Sequence, residues 1–174
     1  MSILKKIICV ALAIFARGVF AACDKEEATK PESSGKKSDK TAGVSYYAEY
    51  KGVKIEMGAE ADAIITALGE YQDRKEIGDC GGLGAQVKYS YPSVEVYVLE
   101  SKDDGNIIDQ ISFRDDIIST PEGVYIGMSV ADAKEALGTP TAETEKSFEY
   151  AGDKYVLVIT VADGRVNKID YLNV

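Results

Sequence analysis

The sequence predicts an α+β fold: two tandem repeats, each a helix packed on a small antiparallel β-sheet. The first observation is that Gly52-Val53-Lys54-Ile55-Glu56-Met57-Gly58 matches Gly123-Val124-Tyr125-Ile126-Gly127-Met128-Ser129 at an offset of 71. The second is that each is followed by an alanine-rich helical stretch, ending at Leu68-Gly69 and Leu137-Gly138. The third is that Tyr89-Ser90-Tyr91 matches Phe148-Glu149-Tyr150, and Asp104-Gly105-Asn106-Ile107 matches Asp163-Gly164-Arg165-Val166, both at an offset of 59. The falling offset puts the extra residues in the first copy, around Gly78 to Gly84, and makes Met57 the expected equivalent of Met128. The chain then divides into a leader over 1–23, a tether over 24–43, repeat unit 1 over 44–118 and repeat unit 2 over 119–174.

The leader opens on Lys5 and Lys6, and Ile7 to Ala16 is an apolar run of 10 residues. That length suits an export signal and falls short of the roughly 20 residues that span a bilayer. Phe20-Ala21-Ala22-Cys23 resembles the bacterial lipobox, with Phe20 where Leu is usual. The resemblance implies that Cys23 is diacylated and becomes the first residue of the mature protein. Two long acyl chains hold a protein at a membrane durably, since each buried methylene contributes about 0.8 kcal/mol. The expected location is the extracytoplasmic face of the cell membrane.

Asp24 to Gly43 has no aromatic residue and no aliphatic one larger than alanine. It cannot bury enough surface to offset its ordering entropy and reads as a flexible tether. In the second repeat, Ser129 is placed to cap a helix whose buried face is Val130, Ala133 and Leu137, and Gly138 with Pro140 ends it. Lys146 to Tyr150, Tyr155 to Val161 and Arg165 to Leu172 read as antiparallel strands, with turns at Gly152-Asp153 and Asp163-Gly164. The first repeat offers Gln86 to Tyr91, Val94 to Glu100 and Ile107 to Phe113 in the same roles.

Composition excludes several function classes. The 174 residues contain no histidine, so Ser-His-Asp and Cys-His catalysis and histidine metal sites are ruled out. Losing Lys5, Lys6 and Arg17 with the leader takes 20 basic residues to 17 against 29 acidic ones, net −12. The tether's five acids and five lysines cancel, so the excess lies on residues 44–174 and disfavours nucleic acid as a partner. Only Cys80 is left to the folded part, in Asp79-Cys80-Gly81-Gly82-Leu83-Gly84. Asp79 opposes thiolate formation there, so the bland reading is a structural loop. Asp103-Asp104-Gly105-Asn106 lacks calcium-loop spacing and reads as a hairpin turn. No cofactor, metal or catalytic residue is expected.

The aromatic residues are the best binding candidates. Tyr89 with Tyr91, and Phe148 with Tyr150, each alternate onto one face of a strand, and Tyr97 lies on a neighbouring strand. If one sheet face is covered by the helix and the other is open, aromatics on the open face make a rigid recognition surface. The competing reading is that half or more of them are core.

The text Ile126-Gly127-Met128-Ser129, Ala136-Leu137-Gly138-Thr139-Pro140, the pair Phe148 and Tyr150, and Val158 to Val161 followed by Asp163-Gly164 resembles the domain shared by SmpA/OmlA (BamE-like) envelope-assembly lipoproteins and the β-lactamase inhibitory protein. The whole chain is similar to tandem-repeat lipoproteins of Gram-positive anaerobes, in the spacing Cys80, Gly84, Tyr89, Tyr91 and the link Ser119 to Val124. The matching residues are mainly fold-setting glycines and core positions, so the resemblance implies architecture more than function. The lipobox, the missing histidine and the strand-spaced tyrosines lead to the expectation of a lipid-anchored, non-catalytic module that binds an envelope or extracellular protein. Binding is expected through open sheet faces and loops, with residues 78–86 as the loop contributors. An assembly or scaffold role of SmpA/OmlA type is the alternative; where diderm sorting applies it is opposed by Asp24, which directly after a lipidated cysteine usually retains a lipoprotein at the inner membrane. A thiol- or carboxylate-dependent enzyme using Cys80 is the remaining alternative, disfavoured by the missing histidine.

Overall fold

Alternation of apolar and polar residues sets most of the folded chain into strands. The computed structural model describes residues 43–79, 84–101 and 105–174. The leader with Cys23, the tether up to residue 42, Cys80 with its glycine-rich neighbours, and Asp103 and Asp104 lie outside the described residues. The elements are β1 (Tyr47–Tyr50), β2 (Val53–Glu56), α1 (Ala61–Leu68), β3 (Asp73–Asp79), β4 (Ala85–Ser90), β5 (Val94–Glu100), β6 (Asn106–Phe113), α2 (Val130–Leu137), β7 (Ala142–Glu143), β8 (Ser147–Ala151), β9 (Tyr155–Ala162) and β10 (Arg165–Asn173).

Local chemistry fixes the boundaries. Ser129 Oγ accepts the backbone N–H of Asp132 at the start of α2, and Glu60 caps α1 by accepting from Asp62 and Ala63. Asp163 and Gly164 both adopt positive φ (50° and 71°), as do Lys51 and Gly52 (52° and 76°). Two left-handed residues in succession match the twist of the flanking strands, so β9–β10 and β1–β2 close as tight two-residue hairpins.

One antiparallel sheet runs β3-β4-β5-β6-β10-β9-β8-β7, and β1 pairs with β2 in a separate ribbon. This overturns the expected α+β fold of two units, each with a helix on its own small sheet. The described chain is mostly β, with two eight-residue helices against ten strands. The cause is the seam between β6 and β10, paired at Ser112↔Asp170, Ile111↔Tyr171 and Gln110↔Leu172. Each strand would otherwise expose a row of unpaired N–H and C=O groups, and pairing them removes two edges at once. Strand β3 also escaped the periodicity, because Asp-Arg-Lys-Glu carries no apolar alternation.

The expected equivalence of Met57 and Met128 is likewise corrected. Gly58 N–H donates to Ile108 O and Ile108 N–H to Ala59 O, while Gly127 N–H donates to Val166 O and Val166 N–H to Met128 O. Hydrogen bonding therefore sets Gly58 against Gly127 and Met57 against Ile126, two residues away from the textual match.

The core lies on one face of the sheet. Val94, Val96, Val98, Ile108, Ile111, Leu157, Ile159, Ile169 and Tyr171 pack under Ala61 and Leu68 of α1, Ala133 and Leu137 of α2, and Ala48, Tyr50, Ile55 and Met57 of the N-terminal ribbon. That ribbon is a strap fixed to the far end of the sheet. Ser45 N–H donates to Glu122 Oε1 (2.8 Å), Tyr46 Oη donates to Tyr150 O (3.1 Å), and the Tyr46 and Tyr155 rings lie 6.1 Å apart. Gly58, at φ +74°, sits so close to the Tyr155 hydroxyl that no Cβ fits between them.

Candidate functional site

Side chains directly opposed across a ladder share a face, so the register defines the other surface of the sheet. One cross-strand row reads Lys75, Lys88, Tyr97, Gln110, Leu172, Val156, Ala151. The row beside it reads Asp73, Ser90, Glu95, Ser112, Asp170, Val158, Glu149, Ala142. None of these residues belongs to the hydrophobic core cluster, and neither helix packs on them. No helix covers this face, which we call the open face: it is mixed in polarity and crossed by seven or eight strands. Ser90, Ser112, Asp170 and Val156 are buried among their neighbours, and Lys88, Glu95, Tyr97, Gln110, Val158 and Leu172 are part-exposed.

Its centre is an ordered polar network. Tyr97 Oη donates to Glu95 Oε2 (3.1 Å), and Lys88 Nζ reaches Glu95 Oε1 (3.1 Å). Gln110 Nε2 donates to Ser112 Oγ (3.0 Å), Ser112 Oγ donates to Asp170 Oδ1 (2.6 Å), and Lys168 Nζ pairs with Asp170 Oδ2 (2.9 Å). Partial burial first, then the Glu95 carboxylate, then Asp170, push the Tyr97 phenol up to about 12. Burial also works against the charge on Glu95, but hydrogen bonds from Lys88 and Tyr97 outweigh it and hold that carboxyl below its usual range. Tyr97 is thus a neutral, half-buried ring held in one orientation by its neighbours.

The five aromatic candidates separate. Tyr97 alone among them stands on the open face. Tyr89, opposite Val96, is on the covered face, with its ring edge-on to Tyr71 (5.3 Å) and its hydroxyl accepting from Arg74 Nε (3.2 Å). Tyr91 lies beyond the end of β4, has no exposed surface and packs against Tyr50. Phe148 and Tyr150 oppose Ile159 and Leu157 and are core, with Tyr150 Oη donating to Gly138 O (3.0 Å). Tyr91, Phe148 and Tyr150 are buried, against the expectation that they offer ring surface for recognition: the β8 register turns Phe148 and Tyr150 inward, and Tyr91 packs against Tyr50. The residues missed on the open face are Lys88, Glu95, Gln110, Asp170 and Leu172. Their signal was present in β5, where Val94, Val96 and Val98 alternate with Glu95, Tyr97 and Leu99.

Among the described residues no three acidic or thiol side chains converge to hold a metal ion, and no helix is long and apolar enough to cross a membrane. No protein family, curated protein or solved structure matches this chain.

Proposed function

We propose that this chain is a lipid-anchored extracytoplasmic protein that binds another protein, without catalysis, through the open face of its sheet. The observation that carries the reading is the sidedness of the sheet. Both helices and the strap cover one face, while the other presents Tyr97, Leu99, Val158 and Leu172 among hydrogen-bonded charged groups. A half-buried aromatic ring ringed by polar groups has the make-up of a binding hot spot. A β-sheet supplies it as a rigid platform, so little ordering entropy opposes association. The lipid anchor rests on the lipobox-like tetrapeptide ending at Cys23.

The test is capture of the partner from the protein's own envelope by wild type, Tyr97→Ala and Tyr125→Ala. Tyr125 is exposed and lies outside the sheet, so its loss controls for a generic aromatic effect. Tyr97→Ala is expected to weaken binding by about 2 kcal/mol, and Tyr125→Ala to leave it unchanged. Equal capture by all three would refute the open face as the binding surface. For the anchor, Cys23→Ala is expected to abolish labelling by a fatty-acid analogue, and persistent labelling would exclude lipidation at that residue.

A further inference from the structure

On the open face the β5–β6 ladder slips. Tyr97 opposes Gln110 and Val98 opposes Ile108, which leaves Asp109 as the extra residue of a β-bulge. A bulge re-aims a side chain, and here it brings a carboxylate beside the carboxamides of two other strands. Gln86 Nε2 of β4 donates to Asp109 Oδ2 (2.6 Å), and Asn173 Nδ2 of β10 donates to Asp109 Oδ1 (3.2 Å). Together with Gln110, Leu172 and Val174 these residues line a depression of about 440 Å³.

The donors and acceptors here are unequal. Gln86 and Asn173 engage amide N–H groups with Asp109, and Gln110 engages one with Ser112. Their three carbonyl oxygens keep free lone pairs, as does the carboxylate, which forms no ion pair with any lysine or arginine among the described residues. The site therefore offers acceptors and one uncompensated negative charge. A single carboxylate is a poor cage for a hard metal ion, which needs six or more oxygen ligands. A planar guanidinium, with five donors in a fixed fork, suits a carboxylate flanked by carbonyls. Half-buried Leu172 and exposed Val174 can cover its methylene stem. The acidic chain, at net −9, also draws cationic surfaces towards it.

We propose that this depression takes an arginine side chain of the partner protein. The proposal rests on the open-face reading and names what that face recognises beside Tyr97. Its test needs no partner: the purified protein is titrated with N-acetyl-arginine-N-methylamide and with the uncharged isostere N-acetyl-citrulline-N-methylamide, followed by backbone and carboxamide NMR shifts. The arginine probe is expected to give saturable shifts at Gln86, Asp109, Gln110 and Asn173, with at least tenfold weaker response to citrulline. Asp109→Asn, which keeps the side chain's size, is expected to abolish the difference between the probes. Asn173→Ala, at an exposed position, is expected to weaken the arginine response severalfold and stands in should Asp109→Asn disturb the bulge. No saturable shift, equal response to both probes, or undiminished binding in both variants would overturn the proposal. Failure here leaves the Tyr97 capture result standing, and failure of that capture leaves this titration interpretable.

Discussion

The two faces of the sheet place the same residue types in opposite surroundings. On the covered face Phe148 and Tyr150 lie under α2 and lose nearly all contact with water. On the open face Tyr97 donates to Glu95, which Lys88 pairs with in turn, and the residue stays part-exposed. An aromatic residue at strand spacing is therefore not a binding signal in itself. What separates the two environments is the side of the sheet on which the register places each ring: Phe148 and Tyr150 stand with Ile159 and Leu157 on the helix-covered side, whereas Tyr97 stands between Lys88 and Gln110 on the other.

The contrast can be tested most strongly with paired truncations. Phe148→Ala is expected to cost about 3–5 kcal/mol of unfolding free energy, because it leaves a cavity in the core. Tyr97→Ala is expected to cost about 1 kcal/mol, read from the same denaturant series. Similar losses at the two positions would erase the distinction between the faces.

The next largest effect tests the strap. Gly58→Ala forces a left-handed residue to carry a Cβ into the Tyr155 hydroxyl, at an expected cost of about 2 kcal/mol. Adding Tyr155→Phe removes that oxygen and is expected to restore part of the loss. Without any restoration the contact is not what positions the strap.

Alkaline pH probes both faces together. Tyr91 and Tyr150 on the covered side, like Tyr97, are pushed up to about 12, each mainly by burial. In the unfolded chain they ionise near 10, so between those values the unfolded state holds fewer protons than the native one. Stability is then expected to be fully retained below about pH 10 and to fall as pH rises towards 12. Tyr97→Phe and Tyr91→Phe are each expected to flatten part of that slope in pH-dependent thermal unfolding. A slope unchanged by either would assign the loss to other groups.

The smallest expected effect is that of the Lys88–Glu95 pair, whose side chains keep 22% and 21% of their surface exposed. A double-mutant cycle with Lys88→Met and Glu95→Gln is expected to give a coupling below about 1 kcal/mol that shrinks with added salt. Its role is to orient Tyr97 rather than to hold the sheet together. A much larger coupling would make the pair part of the structural core.

Much of the element order was legible in the sequence, because it follows from short-range rules. Ser129 and Gly138 bound α2, and the Val94–Glu100 strand matches its expected range residue for residue. The continuity of the sheet was not legible. Whether the last strands of two halves pair with each other depends on contacts between Ile111 and Tyr171, 60 residues apart, and no local pattern encodes them. The make-up of the open face was half legible: strand spacing singled out Tyr97, but the bulge that re-aims Asp109 is a property of two strands in register. Strand β3 was invisible because an edge strand rich in Asp, Arg, Lys and Glu hides the alternation that marks its neighbours.

The strap carries a consequence for the order in which the molecule assembles. Tyr46 bonds to Tyr150 across 104 residues, whereas each hairpin of the sheet closes within a short stretch of chain. Closing so long a loop adds little to the equilibrium cost, since that cost grows only with the logarithm of length. It weighs on the rate instead, because such a contact cannot form until the distant strands exist. Amide exchange should therefore find β4–β6 and β8–β10 protected early in refolding and the Tyr47–Glu56 ribbon late. The earliest part of this fold to be synthesised is the last to be seated.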